Sequence, residues 1–167
     1  MILICYDGSA DAQAAIEHAA ELLSAEPATV LTVWEPFVEV LTRTPTGFGL
    51  AAAGIDIEKI DDVSEQSAEQ RAAEGTELAR KAGFNAQPRT SPQDTTVANA
   101  ILSQADEVGA SAIVMGSRGL TGVKSILLGS VSHAVIQRAD VAVFVVPSPE
   151  VAESRRRERH ATQSASH

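Results

Sequence analysis

The chain has 167 residues, of which 44% are hydrophobic, and it carries a formal net charge of −9 at pH 7. A chain of this length can fold as one domain without disulfides, and its single cysteine, Cys5, cannot form one internally. The acidic balance argues against nucleic-acid binding, and no apolar run is long enough to cross a bilayer.

The first apolar run lies at the amino end of the chain. Because Met1–Cys5 lacks the basic flank of a signal peptide, we expect a cytoplasmic protein that binds no membrane. Short apolar runs then alternate with longer segments of helical spacing. The predicted strands are Ile2–Tyr6, Thr29–Trp34, Phe84–Thr90, Ser111–Met115 and Val141–Val146. The predicted helices are Ala10–Leu23, Ile57–Ala82, Thr95–Val108 and Val131–Arg138, with Gly83 and Gly109 just past the ends of two of them.

Most of the predicted strands are apolar at consecutive positions rather than at alternate ones, whereas the third, Phe84–Thr90, is weaker. Such strands are typical of a parallel sheet that is covered by helices on both faces. Strands that alternate with helices through right-handed connections form a doubly wound sheet. The sequence therefore predicts a single α/β domain over residues 1–147, with no internal repeat.

Two segments do not follow this alternation. Residues 35–56 contain two prolines and three glycines, so we expect a long irregular loop, which is typical of functional lids or insertions. Residues 148–167 are polar and lack an apolar period, so we expect a mobile tail.

The pattern Gly116-x2-Gly119-x9-Gly129-Ser130 follows the fourth predicted strand and opens a predicted helix. Glycine lets backbone N–H groups face a ligand without an intervening Cβ, and a helix start favours an anion such as phosphate. We therefore expect backbone amides of residues 116–131 to converge on one anion. Alternatively, Gly116 and Gly119 are turn residues, and Ser130 only caps the helix.

A second polar group, Asp7-Gly8-Ser9, follows the first predicted strand. In an open parallel sheet, ligands bind beyond the carboxyl ends of the strands, where the winding reverses. If strands one and four are neighbours, Asp7 and Gly116 flank the same crevice. The Asp7 carboxylate could then accept hydrogen bonds from a ribose or a base, although it could instead cap the first helix in place of Ser9.

Taken together, these motifs resemble the ATP-binding branch of the universal stress protein family. The resemblance runs from about Met1 to Val146 and includes Tyr6-Asp7-Gly8-Ser9, the glycine pattern and the closing Val143–Pro147. It implies a five-stranded parallel sheet in the order 3-2-1-4-5, with helices on both faces. It also implies a homodimer formed by antiparallel pairing of strand 141–146. Tyr6 departs from the family pattern, since many members have a smaller aliphatic residue there, which leaves the shape of the adenine pocket open.

The resemblance also implies a role for each matching position. Asp7 and the Val33 backbone would hold adenine and ribose, and Gly116 would approach the ribose. Gly119, Gly129, Ser130 and the Val131 amide would hold the phosphates. Arg118 either reaches a phosphate or is a solvated loop charge. The candidate nucleotide-binding residues are Asp7, Gly8, Ser9, Val33, Met115, Gly116, Arg118, Gly119, Gly129, Ser130, Val131 and Ser132.

The function expected from these residues is a module whose conformation or partners respond to ATP, with Mg²⁺ able to accompany it. AMP and cyclic AMP are the alternative ligands, and a ligand-free dimeric scaffold is the alternative module. The sequence contains no motif for a paired general base, a Mg²⁺-binding carboxylate set or an arginine finger, so we expect at most slow ATP hydrolysis. The histidines lack ligand spacing, so we expect no metal site built by the protein.

Overall fold

The computed structural model describes residues 1–23, 26–43, 56–93, 95–120 and 128–164. Five strands form one sheet in the order β3-β2-β1-β4-β5, and every neighbouring pair is parallel. The predicted doubly wound sheet is therefore confirmed. In chain order the elements are β1 (Ile2–Cys5), α1 (Ala10–Leu23), β2 (Pro27–Trp34), α2 (Phe37–Arg43), α3 (Ile57–Lys81), β3 (Asn85–Pro92), α4 (Val97–Val108), β4 (Ala112–Gly116), α5 (Ser130–Arg138), β5 (Ala142–Val146) and α6 (Pro149–Ser164).

The central strand β1 is buried on both faces, which explains its uninterrupted apolar sequence. Ile4 lies opposite Val30 of β2 and Val114 of β4. Ile2 and Ile4 pack into a core with α1 and α3, whereas Leu3 packs into a second core with α4 and α5. Helices therefore cover both faces of the sheet.

Short polar contacts set the helix boundaries. The Ser9 hydroxyl accepts a hydrogen bond from the Ala12 amide (3.2 Å), so Ser9 rather than Asp7 caps α1. Thr96 caps α4 by accepting from the Asn99 amide (3.1 Å), which is why this helix begins two residues after the predicted start. Gly109 ends α4 with a φ of 62°, a left-handed conformation that favours glycine.

The structure differs from the sequence prediction in the two segments outside the alternation. The predicted loop contains α2, and residues 44–55 of that loop lie outside the described residues. The predicted tail contains α6, which begins at Pro149, a residue well suited to the first position of a helix. Glu153 and Arg157 form an i,i+4 ion pair at 2.5 Å on α6. A charged helix of this kind needs no apolar period, which is why the sequence pattern did not predict α6. The predicted mobility of this segment stays a prediction.

Candidate functional site

A cavity of about 450 Å³ lies at the carboxyl ends of β1, β2 and β4, on the face of the sheet that α4 and α5 cover. One part of its wall is apolar, and the other part is formed by Asp7, the loop after β4 and the first turn of α5. The apolar part is lined by Cys5, Leu31, Val33, Val97, Ile101 and Met115. Burial and the charge of Asp7 raise the pKa of the Cys5 thiol to about 12, so at neutral pH this side chain is an uncharged part of the wall.

Ten of the twelve residues predicted from the sequence line this cavity, and Gly8 and Ser9 do not. Gly8 lies in the turn before α1 with a φ of 85°, and Ser9 caps that helix. Both residues are explained by the turn, so their placement in the site is not supported. The ten lining residues are Asp7, Val33, Met115, Gly116, Arg118, Gly119, Gly129, Ser130, Val131 and Ser132.

Asp7 connects the turn after β1 to the loop after β4. Its Oδ1 accepts a hydrogen bond from the Ser9 amide (2.9 Å), and its Oδ2 accepts one from the Leu120 amide (3.3 Å). A Cβ at Gly119 would lie 2.7 Å from Asp7 Oδ2, so a larger residue here would displace the Asp7 carboxylate. The predicted proximity of Asp7 to the glycine loop is therefore present in the structure.

The packing of the protein explains why position 116 is a glycine. A Cβ at this position would lie 2.7 Å from the Asp11 carbonyl carbon and 2.8 Å from the Ala12 nitrogen, in the first turn of α1. Glycine is thus required by the packing of β4 against α1. The predicted contact of Gly116 with a ribose stays a prediction.

Four amides of the predicted loop have partners among the described residues, and residues 121–127 of that loop lie outside the part of the chain that the structure describes. The amides of Ser117, Arg118, Leu120 and Gly129 donate to Val146 O (2.8 Å), Asp11 Oδ2 (3.1 Å), Asp7 Oδ2 (3.3 Å) and Ser117 O (2.8 Å), respectively. The expectation that the amides of residues 116–131 converge on one anion therefore does not hold for these four. These hydrogen bonds instead fix the shape of the loop.

The first turn of α5 provides free donors. Within the part of the chain that the structure describes, the amides of Ser130, Val131 and Ser132 have no hydrogen-bond partner. Gly129 is the N-cap residue and supplies no side-chain cap, so the alternative role of Ser130 as the cap is also wrong. Unpaired amides at a helix start, together with the helix dipole, favour an anion. The residues that carry these amides line the cavity together with Asp7 and Arg118.

Tyr6 borders the cavity, but its ring packs in the opposite core with α1 and α3. Its hydroxyl donates a hydrogen bond to Glu74 Oε1 (2.7 Å) on α3. Burial and this hydrogen bond raise the pKa of Tyr6 to about 12. The departure from the family pattern at this position is therefore accommodated on the other side of the sheet.

Asp11 is a site-related residue that sequence reasoning missed. It is 5% exposed, and its Oδ2 accepts hydrogen bonds from the Ser117 hydroxyl (2.7 Å) and the Arg118 amide (3.1 Å). In the sequence it is an ordinary acidic residue in the first turn of a helix, a place where carboxylates are common. No motif in the sequence marks it.

Comparison with known proteins identifies the family. The universal stress protein family matches residues 1–147. The chain is 32% identical over 153 residues to universal stress protein YxiE of Bacillus subtilis, covering 87% of this chain and 97% of that protein. It is 31% identical over 153 residues to universal stress protein MJ0531 of Methanocaldococcus jannaschii, covering 89% and 82%. The chain belongs to the universal stress protein family.

Solved structures share the fold. Protein MJ0577 of Methanocaldococcus jannaschii superposes with a TM-score of 0.69 at 24% identity, covering 87% of this chain and 94% of that one. A universal stress protein in complex with cAMP has a TM-score of 0.58 at 21% identity, covering 88% and 95%. The Archaeoglobus fulgidus universal stress protein in complex with dAMP has a TM-score of 0.55 at 24% identity, covering 87% and 95%.

None of the helices in the described ranges is long and apolar enough to cross a membrane. Among the same residues, no cluster of three or more histidine, cysteine or acidic side chains is placed to hold a metal ion.

Proposed function

We propose that this protein is a stress-response module that binds an adenine nucleotide, with ATP as the ligand, and acts as a nucleotide-dependent regulatory or interaction protein. The observation that carries the proposal is the combination, in one cavity, of an apolar wall and three unpaired helix amides. A nucleotide has a flat base at one end and an anionic phosphate at the other, which match the apolar and the polar parts of the cavity wall.

The apolar wall suits the base. Leu31, Val33 and Met115 come from β2 and β4, and Val97 and Ile101 face them from α4. Apolar side chains of this kind enclose a flat ring and exclude water from its faces. The complexes of related structures with cAMP and dAMP support adenine as the base.

The opposite end suits the phosphate. The amides of Ser130, Val131 and Ser132 are the available donors, and Arg118 is the only cationic residue among those that line the cavity in the described part of the chain. Because the protein as a whole carries a net charge of −9, its general field repels anions. Local donors of this kind overcome that repulsion.

A regulatory role suits the cavity better than an enzymatic one. Asp7 is the only carboxylate among the described residues that line it, and both of its oxygens accept backbone hydrogen bonds. It is therefore poorly placed to act as a general base for ATP hydrolysis. One carboxylate also does not form a Mg²⁺ site, so Mg²⁺ would arrive bound to the ATP phosphates.

A homodimer formed through β5 is the assembly that we propose. The two edge strands of the sheet differ, since β3 contains Pro88, Arg89 and Pro92, residues that discourage pairing with a second sheet. The other edge strand, β5, has the sequence Ala-Val-Phe-Val-Val, without proline or charge. This edge is the one suited to pair with a second copy.

Calorimetric titration of the purified protein with ATP, AMP, cyclic AMP and adenosine tests the proposal. We expect saturable binding with ATP tightest, and no multiple turnover of ATP. Absence of binding by all four ligands would refute the adenine-nucleotide function. Tighter binding of AMP or cyclic AMP would correct the ligand, and sustained hydrolysis would favour the enzyme.

A further inference from the structure

Asp11 contacts the loop that follows β4 but does not line the cavity. It is in the first turn of α1, is 5% exposed, and is absent from the residues that border the cavity. A buried carboxylate is costly unless its oxygens accept hydrogen bonds. The hydrogen-bond donors to the Asp11 carboxylate therefore indicate its role.

Three of those contacts hold the turn that follows β4. Asp11 Oδ2 accepts from the Ser117 hydroxyl (2.7 Å) and the Arg118 amide (3.1 Å), and it lies 3.6 Å from Arg118 Nε. The Asp11 backbone is also packed against Gly116, where a Cβ would lie 2.7 Å from the Asp11 carbonyl carbon. These contacts therefore hold the turn against the first turn of α1.

Ser148, just before α6, is a further hydrogen-bond partner of the same carboxyl group. Burial raises the pKa of Asp11, but the hydrogen bonds from Ser117 and Ser148 and the charge of Arg118 together hold it below its ordinary value. The group is therefore ionised at neutral pH.

The Arg118 side chain lies beside the Asp11 carboxylate. It is 14% exposed and lines the cavity. Its Nε atom is buried and has no hydrogen-bond partner among the described residues. The distance of 3.6 Å to Asp11 Oδ2 is too long for a good hydrogen bond, so the carboxylate restrains the guanidinium mainly by charge.

We propose that Asp11 is a positioning residue, which holds the Ser117–Arg118 turn so that the Arg118 guanidinium is presented to the phosphate of the bound nucleotide. The inference rests on the proposed nucleotide function and assigns a role inside it. A guanidinium fixed by its own backbone and by a buried carboxylate loses less conformational entropy when a phosphate binds. Asp11 thus strengthens anion binding although it carries a negative charge itself.

The test compares ATP with adenosine, because only ATP can contact a positioned guanidinium through phosphate. The measured quantity is the ratio of the adenosine Kd to the ATP Kd. Asp11→Asn keeps the size of the side chain and removes its charge, and we expect it to lower the ratio about tenfold. Arg118→Gln should lower it by a similar factor, and the double variant should lose no more than the larger single loss.

A matched control separates positioning from general destabilisation. Thr76→Val on α3 removes a buried hydroxyl that donates to Ala72 O (2.7 Å), outside the cavity lining. We expect it to lower stability and to leave the ratio unchanged. If Asp11→Asn does not fold, Ser117→Ala removes one hydrogen bond from the same turn and should lower the ratio severalfold.

Three results would overturn the proposal. The ratio could stay within about twofold of wild type in Asp11→Asn, or the losses of the two single variants could multiply in the double variant. ATP could also bind more tightly to Asp11→Asn, which would make Asp11 only a repulsive charge. Wild-type protein that binds neither ligand would instead refute the nucleotide function itself, and the positioning role with it.

Discussion

The ring of Tyr6 occupies the space that a side chain at position 75 would need: an ideal Cβ on Gly75 would lie 2.6 Å from Tyr6 Cγ. Gly75 is inside the long helix α3, where glycine is otherwise unfavourable. The two residues therefore form one packing unit between β1 and α3.

Gly75→Ala should lower the free energy of unfolding by about 1–3 kcal/mol, because overpacking outweighs the gain in helix propensity. In a Tyr6→Val background the same change should cost at least about 1 kcal/mol less. In Tyr6→Phe, which keeps the ring, the cost should persist. Urea unfolding of the variants measures these differences, and equal costs in all three backgrounds would contradict the packing unit.

Tyr6 is the only tyrosine in the chain, so its titration can be followed directly. The ultraviolet absorbance of tyrosinate should appear with a midpoint near pH 12 in the folded protein. In urea the midpoint should return to about 10. Since the folded pKa is the higher one, this contribution to stability is complete below about pH 10 and is lost as the pH rises through 12. Identical midpoints in both states would exclude a buried, hydrogen-bonded Tyr6.

Protonation of Asp11 should lower the free energy of unfolding at acid pH, whereas ionisation of Tyr6 lowers it at alkaline pH. Its pKa is lowered on folding, so its contribution is complete above the unfolded value of about 3.9 and is lost as the pH falls below it. At pH 7, Asp11→Asn should be less stable than wild type by about 1–3 kcal/mol. Urea unfolding at pH 7 and pH 3 should show that this difference narrows in acid. A difference that does not change with pH would contradict an ionised, hydrogen-bonded carboxylate.

The proposed dimer can be tested at its edge strand. Ala142 on β5 is exposed, and Ala142→Lys should convert the dimer to a monomer because a charge on an edge strand opposes pairing. Asn85→Lys, at an exposed position of the opposite edge strand β3, is the matched control and should remain dimeric. Sedimentation velocity measures both. A monomeric wild type, or a dimeric Ala142→Lys variant, would rule out assembly through β5.

The sheet could be predicted from the sequence because its inner strands β1, β2 and β4 are buried on both faces, so that runs such as Ile2–Tyr6 are apolar without interruption. The glycine spacing also indicated a loop whose described residues line the cavity. Which amides are free could not be predicted, since that depends on distant acceptors such as Asp11 and Val146. The burial of Asp11 and the direction of the Tyr6 ring depend in the same way on tertiary packing.

The central claim is that the first-turn amides of α5 hold the phosphate of a nucleotide. Ser130→Pro tests it most directly, because proline at the first helical position removes an amide that has no partner among the described residues. Gly129 has φ −66° and ψ 158°, a conformation that a following proline accepts. Ile57→Pro, at the first position of α3 after the extended Asp56, is the matched control.

The measurement is calorimetric titration of both variants with ATP and adenosine. We predict that Ser130→Pro weakens ATP binding by about tenfold or more and leaves adenosine binding unchanged. Ile57→Pro should bind both ligands like wild type. Undiminished ATP affinity in a folded Ser130→Pro variant would contradict the assignment of the phosphate to this helix.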